Sequence, residues 1–279
     1  TVCNEVIYLN RPDRPLWAMP KAGERFEEVP GWKYMRCQAI RSINSQVIAI
    51  GFRDERGRYY PAGVRTSDFT VYGGTAGTWK GAADNSASEN IVGDAGERFL
   101  DGLPLRDSAY IYTANKTVEM HPVTTSEIFI YRPLFDDSGI LSVNCVVSKN
   151  NAHYIFGDKT IWSHDSQTRR DLAAGVIRNW VYKYLIRDFK HLCFVVERPG
   201  DDFVYFCFPS SDPEAKFPLG GVIGYPGCNR YVAFNTRALN DKSTGAWTMG
   251  DLAYQTHACT ATTDAGIRWV DKEASGETY

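Results

Sequence analysis

From residue 99 onward the chain is a train of short segments, each an aromatic or β-branched stretch of about five or six residues closed by a polar turn, and no other feature limits its fold so strongly. Ala109–Thr113, Thr117–His121, Glu127–Arg132, Asn144–Ser148, His153–Phe156 and Thr160–His164 all read as strands. Ala114-Asn115-Lys116, Asn150-Asn151 and Gly157-Asp158-Lys159 supply the turns between them, because Asn, Asp and Gly tolerate the backbone angles that tight reversals need. Further strands are expected at Leu192–Glu197, Phe203–Phe208, Arg230–Asn235 and Gln255–Thr260, with Pro199-Gly200-Asp201-Asp202 turning the first into the second and a looser Pro218–Gly227 segment before the third. Rings fit pleated, half-buried surfaces, so 16 Tyr, 14 Phe and 7 Trp point the same way.

Two hairpins resemble each other. Ile111-Tyr112 runs through Asn115-Lys116-Thr117 to Val118, and Ile155-Phe156 runs through Asp158-Lys159-Thr160 to Ile161. The spacing from Ile111 to Ile155 falls within the roughly 40 to 50 residues of a β-propeller blade. Alternation places Tyr110 and Tyr112 opposite Ile111 and leaves open which side is core.

Ahead of this region, residues 1–98 read as a β meander, with strands at Glu5–Leu9, Trp32–Ile43, Gln46–Arg53 and Tyr59–Val64. Residues 73–98, rich in Gly and Ala, hold no sustained period and are expected to form a long loop reaching across a neighbouring subunit. One helix, about Asp171–Ile186, follows from Leu172, Val176, Ile177, Trp180, Val181, Tyr184 and Leu185 sharing a face, with Arg178, Lys183 and Arg187 elsewhere on the wheel. The expected fold class is therefore all-β, with propeller-like antiparallel blades, one short helix and a long Gly/Ala-rich loop. The expected division is 1–98 and 99–279, both contributing to the same propeller.

The chain has no apolar run near the roughly 20 residues of a membrane helix. Thr1 follows no Met and Val6–Leu9 already reads as strand, so the first residue is expected to lie inside a longer protein or after a removed segment. Seven widely spaced cysteines without a C-x-x-C pair, several inside apolar runs, read as buried thiols of a reducing compartment. A net charge of -2 argues against general affinity for phosphate backbones, though not against a surface that lets DNA pass.

Candidate chemistry begins with the run Asp101-Gly102-Leu103-Pro104-Leu105-Arg106-Asp107, where two acids flank an arginine. Its bland reading is structural: Pro104 fixes φ, Leu103 and Leu105 enter the core, and Arg106 with Asp107 closes an ion pair or caps a turn. Gly139 is expected to supply a positive φ after Asp136-Asp137-Ser138, and Trp247–Leu252 reads as a strand with its ring in the core, ending in a polar corner. Ser163, His164 and Asp165 are adjacent and alternate faces, so they cannot form a triad among themselves. His121, His153, His164, His191 and His257 show no metal-ligand spacing, and Gly220–Gly224 lacks the Lys-Ser/Thr of a phosphate loop. No catalytic residue, metal site or cofactor is assigned.

The order of motifs is the more specific signal. Leu103-Pro104-Leu105-Arg106-Asp107, Gly139-Ile140-Leu141-Ser142 with Asn144-Cys145-Val146-Val147, His153, Gly157-Asp158 with Ile161, Phe208-Pro209, Ala233-Phe234-Asn235 and Trp247-Thr248-Met249-Gly250-Asp251-Leu252 follow one another over residues 99–260. In that order they resemble the β-propeller part of the tail nozzle, tail tubular and packaged-DNA stabilisation proteins of short-tailed phages. The resemblance implies a virion structural protein without enzyme activity, assembled in the host bacterial cytoplasm. It also implies a homo-oligomeric ring, hexameric in the family, that meets portal and adaptor proteins and tail fibres or a needle, touches DNA transiently and does not insert in a membrane. Two alternatives stay open: a tail-associated glycan-degrading propeller, for which Asp107, Asp165 and Asp202 are the acids to test, and a β-rich adhesion or interaction module.

Overall fold

The computed structural model describes the chain apart from residues 20–24, 33–34, 95, 124–127, 174, 199, 218–226, 240–245 and 257–279. Gly220–Gly224, His257, Cys259, Pro199, Glu127, residues 218–226 of the Pro218–Gly227 segment and residues 257–260 of the expected Gln255–Thr260 strand lie outside the described residues.

The chain builds five four-stranded antiparallel sheets, each a meander of consecutive strands, which is the blade of a β-propeller. The first holds β1 (Val2–Cys3), β2 (Val6–Leu9), β3 (Trp17–Met19) and β4 (Glu27–Glu28). The second holds β5 (Arg36–Ile43), β6 (Gln46–Arg53), β7 (Tyr59–Thr66) and β8 (Ser88–Ile91). The third holds β9 (Asp101–Leu105), β10 (Ser108–Tyr112), β11 (Lys116–Pro122) and β12 (Phe129–Asp136). The fourth holds β13 (Val146–Lys149), β14 (Ala152–Phe156), β15 (Ile161–His164) and β16 (Arg169–Asp171). The fifth holds β17 (Phe194–Glu197), β18 (Phe203–Phe208), β19 (Cys228–Asn235) and β20 (Trp247–Gln255). Thr1–Ala173, with four sheets, forms one compact unit, and Ala174–Tyr279, with a helix and the fifth sheet, forms the other. The two similar hairpins, β10–β11 and β14–β15, are the middle strands of consecutive sheets, so their likeness in sequence is a likeness of blade position.

In the first unit, β6 shows why the pattern looks hydrophobic without a break. Val47 and Ala49 face a core shared with Val6, Tyr8 and Ala18 of the first sheet, while Ile48 and Ile50 face a core shared with Ala109, Ile111, Val118 and Met120 of the third. Both faces are buried, so the polar half of the alternation disappears. Register shifts between Ile50 and Phe52 at Gly51, whose φ is 58°, and this bulge returns Phe52 to the side of Val47 and Ala49.

Residues 73–98 are not wholly loop: they hold a strand and buried apolar side chains. Ala76 and Trp79 are buried in the core of the first two sheets, the Trp79 ring packs 4.4 Å from that of Trp32, the Ala76 N–H donates to the Tyr8 hydroxyl, and β8 pairs with β7. Scattered apolar residues fixed this segment by tertiary contacts, which no local period announces.

Gly139 is needed for a reason other than the expected one. Positive φ in this turn falls at Asp137 (53°), whereas a Cβ on Gly139 would lie 2.3 Å from the Thr113 carbonyl oxygen and 2.4 Å from backbone atoms of Ala114 and Asn115. Gly139→Ala should therefore push the β10–β11 turn away and lower stability by about 1 to 3 kcal/mol, read by urea denaturation.

In the second unit, helix α1 (Val176–Tyr184) is shorter than Asp171–Ile186, because Arg169–Asp171 pairs with β15 and Gly175 enters the helix at φ 74°. Val181 and Leu185 are buried and Arg178 and Lys183 exposed, as amphipathic spacing requires. Trp180 packs on Phe208 and under the Arg230 guanidinium, which pairs with Asp212 (2.6 Å) and Asp251 (3.0 Å). The Trp247 ring meets Phe206 and Phe234 but is only half-buried, and its strand continues through Asp251 to Gln255 rather than ending in a polar corner.

Candidate functional site: the Asp101 corner and a tyrosine–histidine network

The run Asp101–Asp107 forms β9 and the turn into β10, with Leu105 paired to Ser108. Arg106 and Asp107 occupy the turn and are exposed; Arg106, at φ 57°, donates to Ser166 Oγ (3.3 Å) instead of pairing with its neighbour. Leu105 is buried and Leu103 half-buried.

Asp101 is the consequential acid. Its side chain is fully buried, and Oδ2 accepts from Arg41 Nη2 of β5 (2.6 Å) and from the Asn144 N–H (3.0 Å), while Oδ1 accepts from the Gly102 N–H (2.8 Å). Arg41 spends its other donors on the Gly102 and Ile40 carbonyls. One carboxylate thus ties the second sheet, the third sheet and the segment leading into the fourth.

Between the third and fourth sheets the contact is made of polar rings. Tyr112 Oη lies 2.6 Å from His153 Nδ1 and 2.7 Å from His164 Nε2; His153 Nε2 lies 3.1 Å from the Pro104 carbonyl, and His164 Nδ1 accepts from the Ser166 N–H (3.2 Å). These partners fix the proton order. His164 must carry its proton on Nε2 and donate to Tyr112, Tyr112 donates to His153 Nδ1, and His153 donates from Nε2 to Pro104. Each ring nitrogen and the hydroxyl has a partner with both histidines neutral. Burial drives His153 down to about 4 and His164 down to about 3, the latter helped by His153 itself, and holds the Tyr112 hydroxyl protonated. Trp162 stacks on His164 (5.5 Å) and donates from its indole N–H to the Gly139 carbonyl (3.1 Å). The face of Tyr110 and Tyr112 is therefore as much core as that of Ile111, but it is the polar core.

The arrangement can hold two sheets in register and can take up protons when acid opens it; its polar atoms are spent inside the fold. Asp165 accepts from the Gln167 and Thr168 N–H groups, the latter chiefly keeping its carboxyl below the usual range, and Asp202 pairs with Arg237 (2.8 Å). His121 Nδ1 meets Ser108 Oγ (2.9 Å) on β11, and His191 lies in a 3-10 turn. Among the described residues no group of three or more His, Cys, Asp or Glu could hold a metal. The six described cysteines are buried, and burial pushes the Cys145 thiol up to about 12. Sequence reasoning missed Arg41 and Asn144, whose partner lies far away in the chain, and took Tyr112 only as a strand residue.

No family model matches the chain, and comparison with curated proteins gives no match. Fold and site together define an all-β protein made of propeller-type blades, with a buried Arg–Asp pair and a neutral Tyr–His–His network joining three of its sheets.

Proposed function

We propose that the chain is a structural protein of a short-tailed phage tail, a ring-forming nozzle or tail-tube component that extends the DNA channel below the portal and adaptor. In this role it supports DNA retention and ejection, carries fibres or a needle, and assembles in the host cytoplasm before residing in the virion tail. The observation that carries the reading is the succession of four-stranded meanders on whose strands and turns the ordered motifs fall. Leu103–Asp107 closes the first hairpin of the third sheet, Asn144–Val147 leads into the fourth, and Ala233–Asn235 and Trp247–Leu252 lie on neighbouring strands of the fifth. Interlocked buried polar bonds between blades suit a part that must stay rigid while DNA moves past it. A net charge of -2 suits a channel that does not retain phosphate, because clustered Lys or Arg would hold DNA in a salt-dependent way.

Native mass spectrometry and cryo-electron microscopy of the purified chain test this directly. A closed ring with rotational symmetry and a lumen poor in basic residues is the expected result. A monomer at every concentration, or a ring densely lined with Lys and Arg, overturns the reading.

A further inference from the structure

Two surface features of the first unit lie at opposite ends of β2. At its start, the turn Asn4-Glu5 grips a loop that displays apolar side chains to solvent: Phe69 is 57% exposed, and Val71 and Tyr72 are each 75% exposed. The loop is not slack. Asn4 Nδ2 donates to the Thr70 carbonyl (2.7 Å) and Oγ1 (2.9 Å), the Thr70 N–H donates to the Ser45 carbonyl (2.8 Å), and the Gly73 N–H donates to the Asn4 carbonyl (2.9 Å). Thr70 is clamped inward while its neighbours point out, forming a rigid knob. The Glu5 carboxylate stands near enough to the Tyr72 hydroxyl to raise its pKa, and Asp68 Oδ1 accepts from the Phe69 N–H, so the knob is edged by two acids.

At the other end of β2 lies an open cavity of about 330 Å³, lined by Leu9, Pro15, Trp17 and Phe26 and rimmed by Arg11 and Arg14. Leu9 and Trp17 are register partners on the outward face, 51% and 38% exposed. Arg11 and Arg14 both neighbour Asp13, at 2.7 Å and 3.9 Å, and those three together carry one positive charge. Knob and cavity are both apolar at the centre, and acids edge the one where arginines edge the other. The knob cannot fill the cavity of its own chain, because the strand between Glu5 and Asn10 spans roughly 15 Å at about 3.3 Å per residue.

We propose that the Phe69–Tyr72 knob of one copy of this chain docks in the Leu9–Trp17–Phe26 cavity of the next, with Glu5 and Asp68 facing Arg11 and Arg14. Such an interface is heterologous: each copy uses one surface to give and another to receive, which produces a ring where the rotation closes. Exposed aromatic side chains held on a fixed backbone lose little freedom on docking, the property that makes Tyr and Trp dominate interface energetics. The inference deepens the ring reading and rests on it only for closure.

The test uses two double variants of the full chain, a knob variant (Phe69→Ser, Tyr72→Ser) and a cavity variant (Leu9→Ser, Trp17→Ser), with mass read by native mass spectrometry and folding checked by circular dichroism. Each alone should be a folded monomer, its association weakened roughly tenfold or more. Mixed one to one, the intact cavity of the first should take the intact knob of the second, giving a dimer that grows no further. A wild-type ring that survives both variants overturns this interface and leaves the ring reading standing. Wild-type chains that assemble openly, without a closed ring, and fall apart in both variants support the interface and overturn the ring. A wild-type monomer at all concentrations, including one whose cavity takes a different tail protein, or a mixture that yields no dimer, overturns the proposal.

Discussion

Replacing Asp101 by alanine should cost about 3 to 5 kcal/mol, the range measured when one member of a buried ion pair is removed, and should lower the melting temperature of the first unit by roughly 10 °C. Three losses coincide. The Arg41 guanidinium, only 20% exposed, loses its counter-charge, and the Gly102 and Asn144 N–H groups lose their acceptor. Those two backbone donors also distinguish this pair from one that apolar residues could replace at no cost, since a Leu at 101 offers them nothing. Urea denaturation of Asp101→Ala, Arg41→Ala and the double variant measures the coupling, and the double variant should fall short of the sum by about 1 to 3 kcal/mol. Additive losses would mean that the two side chains act separately.

Acid should find the histidine network before it finds the carboxylates. His153 and His164 titrate at about 4 and about 3 in the folded protein, against an ordinary 6.5, so the unfolded chain binds protons first as pH falls. Stability tied to the two imidazoles is intact above pH 6.5, declines below it, and stops declining only once the folded-state values are passed. Two imidazoles across this window amount to a loss of about 3 kcal/mol between pH 6.5 and 5, a range above the ordinary titration of Asp and Glu. Unfolding free energies at pH 7, 6 and 5 read this as a slope approaching two protons; a flat profile would contradict neutral histidines. Tyr112→Phe should cost about 2 to 4 kcal/mol at pH 7, since it strands the His164 Nε2–H donor and the His153 Nδ1 acceptor in a dry interior.

Much of the strand content was legible because strand chemistry is local. Gln46–Arg53 and Phe203–Phe208 fall where their apolar runs and flanking turns put them, and the two similar hairpins mark the same blade position. The helix was legible in kind and too long at its start, because Arg169–Asp171 had a better partner in β15 than in a helical turn. Residues 73–98 carry no local period because Ala76 and Trp79 are buried by sheets distant in the chain, which no window of neighbouring residues reveals.

The sequence by itself determined that this chain is a series of short antiparallel strands repeating at blade length, because alternation, turn chemistry and aromatic content act over a few residues. Only the tertiary structure decided what each face of a strand does. On β10, Ile111 enters an aliphatic core while Tyr110 and Tyr112 enter a polar one, an outcome that alternation leaves symmetrical until neighbouring sheets are in place. It also decided which acid matters: Asp107, beside an arginine in the chain, is exposed, whereas Asp101 is buried against Arg41, a residue of another sheet. An ion pair is fixed by distance in space and by the water that burial removes, and neither is written in the spacing of residues along the chain.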